Sequence, residues 1–154
     1  MSVWEAAFCG SAGLDFNSGA AVGATALTAL ALANTGIASC TAGLVWILLD
    51  RMVHGKMTTL GLMTGFVAGL VGITPAAGFV TVGSAFLIGI TTPVICFFFV
   101  SYVKGRLGYD DSLDAFGCHG VGGVWGRTHD WWCWRRRASM MQELTDGSMA
   151  MPRR

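Results

Sequence analysis

Charge is what this chain has least of. Asp, Glu, Lys and Arg make up 12% of its 154 residues, against about 25% in a typical soluble domain. From Met1 to Gly126 the only Lys and Arg residues are Arg51, Lys56, Lys104 and Arg106. The net charge of +1 averages this stretch with an Arg-rich tail, so it points to no nucleic-acid or acidic partner. Cysteine is sparse and unpatterned: Cys9, Cys40, Cys96, Cys118 and Cys133 are odd in number and form no CxxC pair. That excludes a disulfide framework and a zinc motif, and leaves small buried apolar residues as the reading. His129 and Cys133 stand four apart, but two ligands make no metal site. No Ser-His-Asp pattern and no phosphate-cradling glycine loop is present. The expectation is therefore a protein that is not an enzyme and needs no cofactor and no metal. Glu5 stands where a signal peptide would be positive, so no cleavable targeting segment is expected.

What remains is apolar: 53% of residues. A helix needs about 20 apolar residues to cross a bilayer. Val22–Leu49, Thr58–Ile73 and Phe79–Val103 read as three such spans, and a fourth begins near Ser112 and stays apolar through Trp125. The expected fold is an all-α membrane protein with three full transmembrane helices and part of a fourth. Asp50–Lys56, Thr74–Gly78 and Lys104–Asp111 read as the connectors. Alternating spans put the first and third on one face, with all four basic residues of the apolar region. The positive-inside rule makes that face, loops 50–56 and 104–111, cytoplasmic. Residues 1–21 and the Thr74–Gly78 turn then face outward. Gly61, Gly65 and Gly69 recur every four residues and share one helix face, where a neighbouring helix can pack closely. Spans of this kind want more neighbours than three or four helices supply.

His119 is the most informative residue. A helix starting near Asp111 carries it about 12 Å along its axis, near the middle of a hydrocarbon core about 30 Å thick. A titratable group at that depth faces a pathway or a partner helix, and position alone does not choose between them. A neutral imidazole offers one donor and one acceptor nitrogen, which suits a small polar guest. Asp110, Asp111 and Asp114 could pair for proton transfer. Helix capping explains them better, with Asp111 at the cap and Asp114 in the first turn. Phe16 and Asn17 precede the first span, as a vestibule lining or as an interfacial anchor.

The string from Asp110 to Gly126, DDSLDAFGCHGVGGVWG, closely resembles the ammonium transporter family. So do Gly69–Val80, GLVGITPAAGFV, and Phe16-Asn17-Ser18-Gly19 followed by Asn34-Thr35. The resemblance implies a fragment of an eleven-span bundle, spanning the end of the sixth helix through most of the tenth. Family members form homotrimers in lipid with a narrow pore in each subunit, which carries ammonium or ammonia. On this reading His119 matches the second of two pore histidines and Phe16 a pore-mouth aromatic. Asn17 and Ala20 fall at the outer vestibule. Ala20 stands where many members have a Ser that helps hold ammonium. The first pore histidine belongs to a span not represented here, so the chain is expected to form an incomplete pore. The alternative is a non-transporting membrane subunit that assembles with full-length transporters.

Three segments follow. Residues 1–15 are an atypical N-terminal segment, with Gly13-Leu14-Asp15 where the family shows Trp or Tyr beside Gly. Residues 16–126 are the transporter-like transmembrane region. Residues 127–154 are an atypical Arg- and Trp-rich tail. Where the family continues in a pattern like Ala-Leu-x-Thr-Gly, this chain has Arg127-Thr128-His129-Asp130-Trp131. Codons for these five, CGC-ACT-CAT-GAC-TGG, read Ala-Leu-Met-Thr-Gly when shifted by one base. We therefore expect a frameshift at Gly126–Arg127. The rival is a genuine tail, with its Trp residues at the membrane interface and its Arg cluster on anionic lipid.

Overall fold

A computed structural model describes residues 3–19, 26–103, 106 and 116–129. Among these residues every regular element is a helix. α1 covers Val3–Gly19, α2 Ala26–His54, α3 Thr59–Ile73 and α4 Val82–Phe98. A π-helical turn, Phe99–Val103, prolongs α4. A second π turn, Phe116–Val121, leads into α-helical residues 122–129. This last unit is called α5. α2 is the hub, packed against α1, α3 and α4, while α5 leans on α3 and α4.

Two of these helices, Leu27–His54 and Val82–Val103, are long and apolar enough to cross a membrane. α3 is apolar but has only 15 residues, about 22 Å at 1.5 Å per residue. Pro93 lies inside α4 and is fully buried.

Many inward-facing residues are small, and many large apolar ones face outward. Ala31, Ala38, Ile73, Ala76, Ala77, Val80, Ala85 and Ile88 form one core cluster. Trp46, Ala68, Cys96, Phe97 and Cys118 form another, where the Trp46 and Phe97 rings meet edge to face at 5.4 Å. Leu44, Leu48, Phe86, Leu87 and Phe98 point outward. Hydrocarbon solvates such side chains as well as a neighbour would, so close backbone contact carries the packing instead. A Cβ on Gly69 would lie 2.6 Å from the Ala42 Cβ, 2.8 Å from the Ala38 carbonyl oxygen and 2.9 Å from the Ser39 Cα. Gly65 faces Trp46 and the Ala42 carbonyl, and Gly61 faces the Asp50 carboxylate and Thr58. The three glycines thus line the α2–α3 contact.

The structure departs from the sequence reading in two places. The supposed Asp50–Lys56 connector is largely helix, because α2 runs on to His54. Asp50 is only 7% exposed, yet its carboxylate is satisfied. Thr58 Oγ1 donates to Asp50 Oδ2 at 2.7 Å, and His54 Nδ1 lies 3.3 Å from Asp50 Oδ1. Gly55, at φ +72°, ends the helix in the left-handed conformation a C-terminal glycine supplies. Its carbonyl accepts from the Arg51 guanidinium. The second departure is α1, a helix over Val3–Gly19 where the family resemblance implied only the end of a span from about Phe16. Its Gly10 abuts Phe66 and its Gly13 abuts Leu70, both on α3. The turn between α3 and α4 is held by bonds from Ala76 N to the Ile73 carbonyl and from Phe79 N to the Ala76 carbonyl, both 2.9 Å.

Thr58 does two jobs with one hydroxyl. It donates to Asp50 and also caps α3 by accepting from Gly61 N at 2.9 Å. Replacing it with Val removes the cap and leaves a buried carboxylate oxygen short of a donor. The expected loss is about 1–2 kcal/mol, read as a lower thermal midpoint in detergent. Thr58→Ser should keep most of the stability; equal loss in both variants would refute the hydroxyl's role.

Candidate functional site

A groove of about 570 Å³ runs between α1, α3 and α5. Phe16 and Asn17 come from α1, Val67, Leu70 and Val71 from α3, Thr74 and Pro75 from the turn between α3 and α4, and His119, Gly123 and Arg127 from α5. The helices set this spacing. Gly13 lets α1 settle on Leu70, and Gly126 lets the α5 backbone meet the Gly72 carbonyl. Most of the wall is apolar; the side chains of Asn17, Thr74, His119 and Arg127 are its polar points.

His119 sits in the π turn, exposed to the groove. Among the described residues no hydrogen-bond partner occupies its ring. π turns recur at functional sites because the widened turn re-aims a side chain. Here Gly117 permits the close fit, since a Cβ there would lie 2.6 Å from Val100 Cγ2 in the other π turn. Phe16 is 70% exposed and also lines a smaller cavity of about 120 Å³ with Ala31, Ala77 and Phe79. Asn17 is buried, and its Nδ2 donates to Thr35 Oγ1 at 3.3 Å. It therefore ties α1 to α2 as well as lining the groove.

Ala20, Asp110, Asp111 and Asp114 lie outside the described residues, as do Cys133 and the tail from residue 130. His54 is remote from the groove, beside Asp50 and 5.8 Å from the Phe97 ring. Among the described residues no cluster of three or more His, Cys, Asp or Glu could hold a metal ion. Of the groove's polar residues, Thr74 and Arg127 are those that sequence reasoning missed. The helix continues through residues 127–129, with Trp125 Nε1 donating to Thr91 Oγ1 at 3.2 Å and its ring 4.9 Å from that of His129.

The model of the Ammonium Transporter Family matches residues 14–143. The chain belongs to the ammonium transporter family. Ammonium transporters of Aquifex aeolicus and Bacillus subtilis are 48% and 46% identical to it over 111 residues, 72% of this chain. The crystal structure of Candida albicans Mep2 superposes with a TM-score of 0.76 at 41% identity, over 80% of this chain. That of Saccharomyces cerevisiae Mep2 gives 0.73 at 43% identity over 77%. The chain spans only about a quarter of these transporters: 26% and 28% of the two bacterial proteins and 27% and 26% of the two Mep2 chains.

Proposed function

We propose that this chain supplies one wall of a pathway that carries ammonium or ammonia across a membrane. The observation that carries the reading is the shared groove: Phe16 and His119, 103 positions apart in sequence, line it together. His119 offers a small guest a nitrogen donor or acceptor inside an apolar wall. Phe16 presents a ring face, which attracts a cation. Asn17 flanks the outer vestibule; the vestibule part read for Ala20 and the capping part read for Asp111 and Asp114 fall on residues outside those the structure describes. α2, α3 and α4 are three full spans and α5 part of a fourth, with the end of α2 and its junction to α3, residues 50–56, and the segment 104–111 on the cytoplasmic side. Residues 16–126 form the transporter unit, set in lipid and in a homotrimer. Residues 1–15 and 127–154 stand apart from it, the latter through a shifted reading frame.

The groove is open along one side, which a complete transporter would close. The test therefore places residues 16–126 in the matching region of the Bacillus subtilis relative and follows uptake of nitrogen-15 ammonium into cells. Uptake should be restored, and His119→Ala should remove most of it while the chimera still reaches the membrane. Uptake indifferent to His119 would sink the pathway reading. Co-purification of the unaltered chain with a full-length transporter, without flux of its own, would favour a non-transporting subunit.

A further inference from the structure

A second groove, of about 550 Å³, opens between α1, α2 and α3 and shares no lining residue with the first. It exists because two helices give up their side chains there. A Cβ on Gly10 of α1 would lie 3.0 Å from Phe66 Cε1, and one on Gly43 of α2 would lie 3.0 Å from Leu62 Cδ1. Phe66 and Leu62 of α3 therefore form the floor. The lining is apolar apart from Ser11 and the weakly polar thiol of Cys40. The Ser11 hydroxyl is spent on the Phe8 carbonyl at 3.1 Å. Water needs about two to four polar partners to stay in such a space, so in a membrane hydrocarbon fills it. The volume falls in the range of about 300–1,000 Å³ that holds a small ligand.

Charge at one end separates this groove from other apolar surface. α3 returns antiparallel to α2, with Gly61 against Asp50, Gly65 against Trp46 and Gly69 against Ala42. The end of the groove marked by Leu44 and Leu62 is thus the one nearest their junction. Arg51 lies seven residues beyond Leu44, about 10 Å further along α2 and only about 20° round from it, on the groove's own face. Lys56 stands in the junction, and both cations are exposed. The acidic residues of these three helices lie elsewhere. Asp50 is turned to Thr58 and His54, and Asp15 is at the other end of α1. Glu5 shares the near end, but at about 100° per residue it falls on the face of α1 opposite Gly10, Ser11 and Leu14.

We propose that this groove binds an anionic phospholipid, with one acyl chain in the slot and the phosphate on Arg51 and Lys56. Arg51 Nη1 donates to the Gly55 carbonyl, which fixes the guanidinium at the mouth and leaves its other N–H groups for phosphate oxygens. The site uses none of the pathway residues and stands or falls apart from them.

The full chain in phosphatidylcholine nanodiscs tests this, with a trace of phosphatidylglycerol that carries a photoactivatable diazirine on its acyl chain. Cross-links should map to Cys40, Leu44, Leu62 and Met63, and a phosphatidylcholine probe with the same tail should label them far less. Arg51→Gln and Lys56→Gln should each lower labelling by the anionic probe roughly fivefold and leave labelling by the zwitterionic probe unchanged. Leu44→Trp, made at an exposed position, should close the slot and abolish the labelling at an unchanged thermal midpoint. Leu87→Trp, exposed on α4, should leave the labelling as it was. Cross-links spread evenly over the exposed faces of α2 and α4, or equal labelling by the two probes, would overturn the site. Cross-links from Cys40 to a second copy of the chain, in place of lipid, would assign the groove to that copy and overturn it as well.

Discussion

Gly69→Leu should cost this protein its fold. A single methyl at that position already meets the Ala42 Cβ at 2.6 Å, the Ala38 carbonyl at 2.8 Å and the Ser39 Cα at 2.9 Å. Two of these three neighbours are backbone atoms, which cannot rotate away. α2 and α3 would have to separate along the face that Gly61 and Gly65 also line. Overpacking a tight core costs typically about 1–3 kcal/mol, and a leucine against backbone belongs at or above the top of that range. In detergent the thermal midpoint should fall by many degrees or the cooperative transition should vanish. Gly69→Ala should show an intermediate loss. Gly36→Ala is the control: it sits in α2 with nothing within 4 Å of the added Cβ. There, alanine should be neutral or stabilising by about 0.4–1 kcal/mol, through the smaller entropy of the unfolded chain. Equal effects at Gly36 and Gly69 would show that helix propensity, rather than interhelix contact, sets the loss.

Asn34→Asp is expected to be the most damaging change that alters no volume. Asn34 is fully buried, and its Nδ2 donates at 2.8 Å to both the Ala77 and the Val80 carbonyl oxygens. Those carbonyls lie beyond the end of α3, in the turn that leads to α4. The side chain therefore clamps that turn onto α2. An aspartate of the same shape puts an acceptor where two protons were. Each buried carbonyl left without a donor costs about 1–3 kcal/mol, and the carboxylate adds its own desolvation. Asn34→Ala loses the same bonds but buries no charge, so it should be the milder of the two. Lowering the pH protonates the introduced carboxyl and gives back one donor. The stability of Asn34→Asp should thus recover partly in acid, whereas that of Asn34→Ala should not. Amide exchange across residues 74–81 would report the loosening, and protection there unchanged in Asn34→Asp would refute the clamp.

These two sites differ in how much of them can be read from the chain. The four-residue recurrence of Gly61, Gly65 and Gly69 is a local pattern, and it identifies a close helix face directly. The apolar runs likewise gave α3 to within a residue and the body of α2 and α4. Asn34 reveals nothing of its partners, which lie 43 and 46 positions away. Asp50 misled for the same reason. A carboxylate in an apolar run reads as the end of a span unless the hydroxyl eight residues on is known to satisfy it. Most of α1 escaped notice because Asp15 and its glycines look unlike a membrane helix until Phe66 and Leu70 are seen filling the space against Gly10 and Gly13. At the site, His119 and Phe16 stood out through motif and burial cost. Arg127 did not, since a change of composition after Gly126 hid the continuation of the helix through residue 129.

The inward placing of small residues and outward placing of large ones also decides where this chain can vary. Ala38, Ala42, Gly65, Gly69, Gly72 and Gly89 sit against backbone or Cβ atoms of a neighbouring helix, so they tolerate no gain in volume. Leu44, Leu48, Phe86, Leu87 and Phe98 are exposed, so no contact within this chain limits their volume. In most proteins drift is freest at the polar rim and slowest among bulky residues. Within this chain the limit on volume falls on the smallest residues rather than on the bulky ones.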